Sequence, residues 1–290
     1  MSRLSGATLL AGVVGRPVRH SLSPLIHNAW IAAAGLDAAY VALSPTEAGF
    51  PHLIEGLRGG VMRGLNVTLP FKEAALAAAD RASESARLAG AANLLVFDED
   101  GTVSADNTDG LGLLGAFAAQ APGFDPAAGP VVILGAGGAA RGAAAAFIQA
   151  GAPQVRLANR SRHRAEAIAV SLGERVSIYD WADPTLALAG AAALVNATSL
   201  GLAGHDPLEI DLSPLPQTAA VMDMVYRPLV TPLLDQAARR GHAAVDGLEM
   251  LIRQAQPSFE TFFGRAPPAA TDVRALALAA LTPTDAEYRP

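Results

Sequence analysis

Cysteine is absent from the 290 residues, which excludes disulfides, a thiolate nucleophile, iron–sulfur clusters and cysteine-based zinc sites. Charge is scarce too: 17% of residues are charged, and 21 Lys and Arg against 27 Asp and Glu leave a formal net charge of −6. That shortage of cations argues against nucleic acid or an anionic membrane as the main partner, so functional positive charge has to be local. No apolar run reaches the ~18 uncharged residues that a membrane helix needs. Hydrophobic residues make up 51%, enough for proper cores, and the length suits two medium domains. The apolar stretch 7–14 runs into Gly15, Arg16 and Pro17 with no small-residue cleavage site after it. It reads as a buried first strand rather than a signal peptide, and a cytoplasmic protein is expected.

Strand and helix patterns alternate along the chain, the mark of an α/β fold. Residues 8–14, 38–43 and 64–68 read as strands, 94–97 and 102–104 as a hairpin, and 25–34, 51–58 and 73–79 as helices. Ser23 is the expected N-cap of the first helix, with Pro24 at its first position and Gly35 as its stop. Beyond a helix over 111–120 and a Pro- and Gly-bearing stretch at 121–130, strands are expected at 130–134, 154–158, 176–178, 193–196 and 220–223, alternating with helices as in a doubly wound sheet. Residues 248–281 read as helices broken at Gly264 and Pro267–Pro268. The expected domains are 1–108 plus 245–290, binding substrate, and 109–244, a Rossmann-type dinucleotide domain.

The strand Val131-Val132-Ile133-Leu134 enters Gly135-Ala136-Gly137-Gly138-Ala139-Ala140 and then a helix. This is the dinucleotide fingerprint, with Ala140 in its third glycine place. Gly135 permits the tight turn, Gly137 lets backbone N–H groups approach a pyrophosphate, and the helix start adds partial positive charge. An NAD site places a carboxylate at the end of the next strand to accept from the ribose 2′-hydroxyl. Here that position reads Asn159-Arg160-Ser161-Arg162-His163-Arg164. Guanidinium groups suit a 2′-phosphate, so NADP is the expected cofactor.

On the other side, Ser21 and Ser23 lie between a strand end and a helix start, where open α/β sheets bind ligands. His20 and His27 lack a third ligand at metal spacing and read as packing or hydrogen-bonding residues, with no metal site expected. Asn66 and Thr68 alternate along a strand end, and Lys72 follows at a helix start, the unfavourable end for a cation. Such a position favours the neutral amine, useful for acid/base work. Asp109 taken alone is an N-cap; taken with Lys72 it forms a candidate catalytic dyad.

In order along the chain, HSLSP at 20–24, NVTLPFKE at 66–73, GAAN at 90–93, DNTDG at 106–110, GAGGAAR at 135–141, NRS at 159–161, NATSLG at 196–201, Asp223–Tyr226 with Thr231-Pro232, and DGLEMLIRQ at 246–254 resemble the shikimate dehydrogenase family. The resemblance implies NADPH-dependent reduction of 3-dehydroshikimate to shikimate. It also implies that Ser21, Ser23, Asn66, Thr68, Lys72, Asn93, Asp109, Tyr226 and Gln254 meet the substrate, with Lys72 and Asp109 catalytic. Gly135, Ala136, Gly137, Gly138, Ala139, Asn159, Arg160, Ser161, Arg164, Thr198, Met224 and Gly247 are the implied cofactor residues. Leu94 and Ser161 stand where the family usually or often has threonine. A quinate/shikimate dehydrogenase using both NAD and NADP is the nearest alternative, set apart by the absence of a carboxylate after Ala158. A non-catalytic NADP-binding paralogue is another, and it would be expected to lack Lys72 or Asp109. The family contains monomers and homodimers.

Overall fold

The computed structural model describes residues 4–281. The chain opens with β1 (Leu9–Val14), α1 (Ser23–Ala33), β2 (Ala38–Leu43), α2 (Gly49–Leu57), β3 (Met62–Val67), α3 (Lys72–Ala78), β4 (Arg81–Ala82), α4 (Glu84–Ala89), β5 (Leu94–Phe97) and β6 (Val103–Asp106). It continues through α5 (Asp109–Gln120), β7 (Val131–Leu134), α6 (Gly138–Gln149), β8 (Val155–Ala158), α7 (Arg162–Leu172), β9 (Val176–Tyr179) and α8 (Thr185–Leu188). The rest is β10 (Ala193–Asn196), β11 (Ala220–Asp223), α9 (Pro232–Arg239), β12 (Ala243–Asp246), α10 (Gly247–Phe263) and α11 (Val273–Leu281). Two compact units result, one from residues 4–82, 93–105 and 255–281, the other from 83–92 and 106–254.

The first unit carries a mixed six-stranded sheet in the order β2-β1-β3-β5-β6-β4. β1 runs parallel to β2 and β3, and β3 antiparallel to β5. An aromatic cluster fills one part of its core. Trp30, Tyr40, Phe259 and Phe262 surround His27, whose ring stacks on Tyr40 at 4.0 Å between centroids. Gly64 is required where β3 passes beneath, because a Cβ there would collide with the Phe262 ring and the Leu95 carbonyl.

The second unit has a sheet in the order β12-β11-β10-β7-β8-β9 with every pairing parallel. Its central strand β7, Val131-Val132-Ile133-Leu134, is a continuous apolar run buried throughout, because both faces are covered there. Val131 and Ile133 pack with Phe117 and Phe147 on one face, and Val132 and Leu134 with Leu188, Leu212 and Leu233 on the other. The strand order reverses beside β7, so the turn after β7 lies at the point where such sheets bind ligands.

The structure differs from the expected elements in a few places. Ser23 is not an N-cap: Leu22 holds that position without a side-chain bond, and Ser23 and Pro24 form the first turn of α1. β4, α4, α8, α9 and β12 were not foreseen, all being eight residues or shorter. Their signals are local: Ser83 caps α4 by accepting from the Ala86 N–H at 3.1 Å, and Gly90 ends it at φ 62°. The segment 83–92 belongs with the second unit, where Arg141 Nε of α6 donates to the Leu88 carbonyl at 3.0 Å.

Candidate active site

In the first unit, the polar residues singled out by sequence gather at the carboxyl ends of β1 and β3, which are neighbours in the sheet. Thr68 N–H donates to the Val14 carbonyl at 2.9 Å, and Arg16 N–H to the Leu69 carbonyl at 2.9 Å. These bonds tie the two loops together. Gly15 is needed there, because a Cβ would collide with the Thr68 methyl. Ser21 Oγ accepts from the Ser23 N–H at 3.3 Å. Since Ser23 caps nothing, its buried hydroxyl is not committed to the helix.

Asn66, only 6% exposed, is held on every side. Its Oδ1 accepts from the Tyr40 hydroxyl at 2.8 Å, and its Nδ2 donates to Ser258 Oγ at 2.8 Å and to the Asn93 carbonyl at 3.3 Å. The carbonyl partner fixes which end of the amide is nitrogen, since a flip would set oxygen against oxygen. Both amide hydrogens are thereby used, and a ligand meets Asn66 only as an acceptor. The Asn93 carbonyl also accepts from the Val67 N–H at 2.8 Å, so Asn66 and Asn93 form one buried group. Sequence reasoning missed Tyr40 and Ser258, which lie 26 and 192 positions from Asn66. Lys72 is the first residue of α3 and half-buried.

In the second unit, Asp109 is the first residue of α5 rather than its cap, buried at 9% exposure, with no side-chain cap bond on that helix. The simple capping role is therefore excluded. Asn107, also missed although it stands inside DNTDG, accepts from the Asp109 N–H at 3.0 Å and donates to the Ala91 carbonyl at 2.8 Å. Thr108 Oγ1 donates to the Gln254 carbonyl at 3.1 Å. Gly112 permits this approach of α5 to α10, since a Cβ there would lie 2.6 Å from the Gln254 Cβ. Asp109 and Gln254 thus belong to one cluster.

The glycine-rich turn has the geometry that the fingerprint requires. Gly135 adopts φ +115°, and a Cβ on it would lie 2.9 Å from the Ala197 carbonyl oxygen and 3.3 Å from the Thr198 methyl. A Cβ at Gly137, the N-cap of the 12-residue helix α6, would meet nothing within 4 Å. This leaves room for a phosphate before Gly138 and Ala139, at the positive end of a helix. Asn159 Nδ2 donates to the Ser161 carbonyl at 2.9 Å, shaping the turn after β8. Ser161 is the N-cap of α7 without a side-chain cap bond. Arg162 is engaged with Glu166 at 3.1 Å, whereas the exposed Arg160 and Arg164 have no ion-pair partner among the described residues. Two uncommitted guanidiniums and an unused hydroxyl fit a 2′-phosphate.

Past β10 and β11, Thr198 N–H and Oγ1 both donate to Asn196 Oδ1, at 3.0 and 2.7 Å. Met224 N–H donates to the Asn196 carbonyl at 3.0 Å. Gly247 is required beside Met224, whose carbonyl oxygen a Cβ would strike. Tyr226 is half-buried, and burial pushes its phenol above the usual tyrosine range while Arg227 pulls it back. Thr198, Met224 and Gly247 are thus brought together with the glycine-rich turn.

Comparison with known proteins places this arrangement. Residues 13–95 match the model of the shikimate dehydrogenase substrate binding domain, residues 120–202 that of shikimate / quinate 5-dehydrogenase, and residues 247–277 that of the shikimate 5′-dehydrogenase C-terminal domain. The chain is 60% identical to the shikimate dehydrogenase (NADP(+)) of Caulobacter vibrioides over 95% of its length and 96% of that protein. It is 36% identical, with a TM-score of 0.84, to shikimate 5-dehydrogenase from Thermus thermophilus in complex with NADP(H) and shikimate, covering 94% of this chain and 100% of that one. Quinate dehydrogenase from Corynebacterium glutamicum in complex with NAD is 30% identical with a TM-score of 0.85, over 94% of this chain and 99% of that one.

Proposed function

The chain belongs to the shikimate dehydrogenase family, and from that membership we infer that it catalyses the reversible NADPH-dependent reduction of 3-dehydroshikimate to shikimate, a step of aromatic amino-acid biosynthesis. The 60% identity to an NADP(+)-dependent shikimate dehydrogenase across nearly the whole chain carries this reading. Preference for NADP over NAD rests on Arg160 and Arg164 standing where an NAD enzyme needs a carboxylate. Bound NADPH supplies the hydride.

A ketone that takes up hydride develops an alkoxide, which needs a proton at its oxygen. Lys72 delivers that proton in reduction and takes it back in oxidation. Asp109, buried and fixed through Asn107, accepts a hydrogen bond from a substrate hydroxyl. Ser21, Ser23, Thr68, Asn93, Gln254 and Tyr226 complete the shell around the substrate's carboxylate and hydroxyls. Asn66, with both amide hydrogens used, serves a hydroxyl and not the carboxylate. The first unit carries the substrate groups at the ends of β1 and β3, and the second carries the nucleotide loops together with Asp109, Tyr226 and Gln254. A monomer or homodimer working on small molecules in the cytoplasm is the proposed setting. Among the described residues no helix is long and apolar enough to cross a membrane.

The experiment is the oxidation rate followed at the nicotinamide absorbance, with shikimate and quinate each paired with NADP and NAD. Rapid turnover with shikimate and NADP alone is expected. Comparable rates with quinate or NAD contradict the specificity, and no turnover by protein that still binds NADP contradicts the enzyme reading.

A further inference from the structure

Two buried carboxylates take no part in the steps above, Glu249, which is paired with Arg253, and Asp223. Asp223 ends β11 and is fully buried. Its Oδ1 accepts from Asn196 Nδ2 at 2.9 Å and from the Val225 N–H at 3.0 Å, and its Oδ2 from Thr231 Oγ1 at 2.7 Å. No cation faces it among the described residues. Burial pushes the carboxyl above its usual range and the three donors pull it down.

Those donors come from three separate places: the end of β10, the turn after β11, and the N-cap of α9. Asn196 carries the connection onward. Its Oδ1 takes both donors of Thr198, and its second amide hydrogen goes to the Leu200 carbonyl at 3.0 Å. All three partners of Asp223 are donors, so an amide nitrogen in place of Oδ2 would take away the acceptor of the Thr231 O–H, whose oxygen already accepts from the Leu234 N–H at 3.3 Å. This explains an acid here despite the cost of burying it.

The sheet order assigns the loops. A doubly wound sheet gives one nucleotide to each half. Arg160 and Arg164, suited to a 2′-phosphate, follow β8 on one side of β7, which leaves the nicotinamide half to the loops after β10 and β11 on the other. The 197–198 turn also lies against Gly135.

We propose that Asp223 is a positioning residue for the nicotinamide half of NADP, clamping the 196–200 and 224–231 turns in the one arrangement that presents Thr198 and Met224. The proposal rests on the NADP reading above. The test is equilibrium binding of NADP+ and of adenosine 2′,5′-bisphosphate to the full-length protein and to Asp223→Asn and Asp223→Ala. The bisphosphate fills only the Gly137 and Arg160 end. NADP+ affinity is expected to fall about 3-fold in Asp223→Asn and about 10-fold or more in Asp223→Ala, with bisphosphate affinity within about twofold of wild type. Asp223→Asn keeps the side-chain volume, so it carries the test if Asp223→Ala does not fold. Equal weakening toward both ligands makes Asp223 a general structural residue and overturns the proposal, as does unchanged NADP+ binding. A wild-type protein that binds neither ligand overturns instead the cofactor reading beneath it.

Discussion

The second unit presents its functional groups mainly through backbone at the ends of six parallel strands, with Gly135, Gly137 and a helix start doing what no side chain could. The first unit has a mixed sheet and works through side chains, with Tyr40, Asn66, Ser258 and the Asn93 carbonyl joined in one buried chain of hydrogen bonds. The difference follows from the chemistry each must serve. A pyrophosphate is bound well by N–H groups that any sequence possesses, provided glycine lets them approach. A small polyhydroxylated acid has to be recognised group by group, which needs side chains with fixed polarity.

The comparison breaks first at Lys72. If proton transfer belongs to the first unit alone, Lys72→Ala lowers kcat by about 10²–10⁴-fold while NADP+ affinity, measured by equilibrium binding, stays unchanged. A near-normal kcat removes Lys72 from the reaction.

A smaller effect probes the packing that supports the first unit's hydrogen bonds. His27 is fully buried, has no partner for either ring nitrogen among the described residues, and stacks on the same Tyr40 that holds Asn66. Burial lowers its pKa from 6.5 to about 3. Because the unfolded chain takes up a proton near pH 6.5 and the folded chain does not, stability is complete above that pH and declines as pH falls toward 3. The loss from this residue alone reaches about 2 kcal/mol at pH 5. His27→Leu is expected to flatten the slope of unfolding free energy between pH 6.5 and 4, measured by denaturant titration. An unchanged slope contradicts the assignment.

The two units also differed in how far sequence revealed them. The fingerprint at 135–140 and the arginines after β8 were legible because their meaning is local: a strand, a turn and a helix within about ten residues. The ends of β1 and β3 were legible as places, since Ser21, Ser23, Asn66 and Thr68 follow recognisable strands. Their supports were not. Nothing in the sequence links Ser258 to Asn66 across 192 positions, because that contact exists only once α10 packs beneath β3. At Ser23 the local pattern misleads for a related reason: serine before proline is the usual cap pattern, but here the helix begins at the serine itself, with Leu22 as cap. Asp223 announced itself only as part of a motif, and its function as the meeting point of three loops required the sheet order.

The most direct test of the division of labour is the steady-state kinetics of the Arg160→Ala/Arg164→Ala double variant with NADP and NAD at varied shikimate. In that variant kcat/KM for NADP is expected to fall by about 10-fold or more, while kcat/KM for NAD and the KM for shikimate hold near their wild-type values. Equal losses with both cofactors, or a shikimate KM that rises in step with that for NADP, would contradict it.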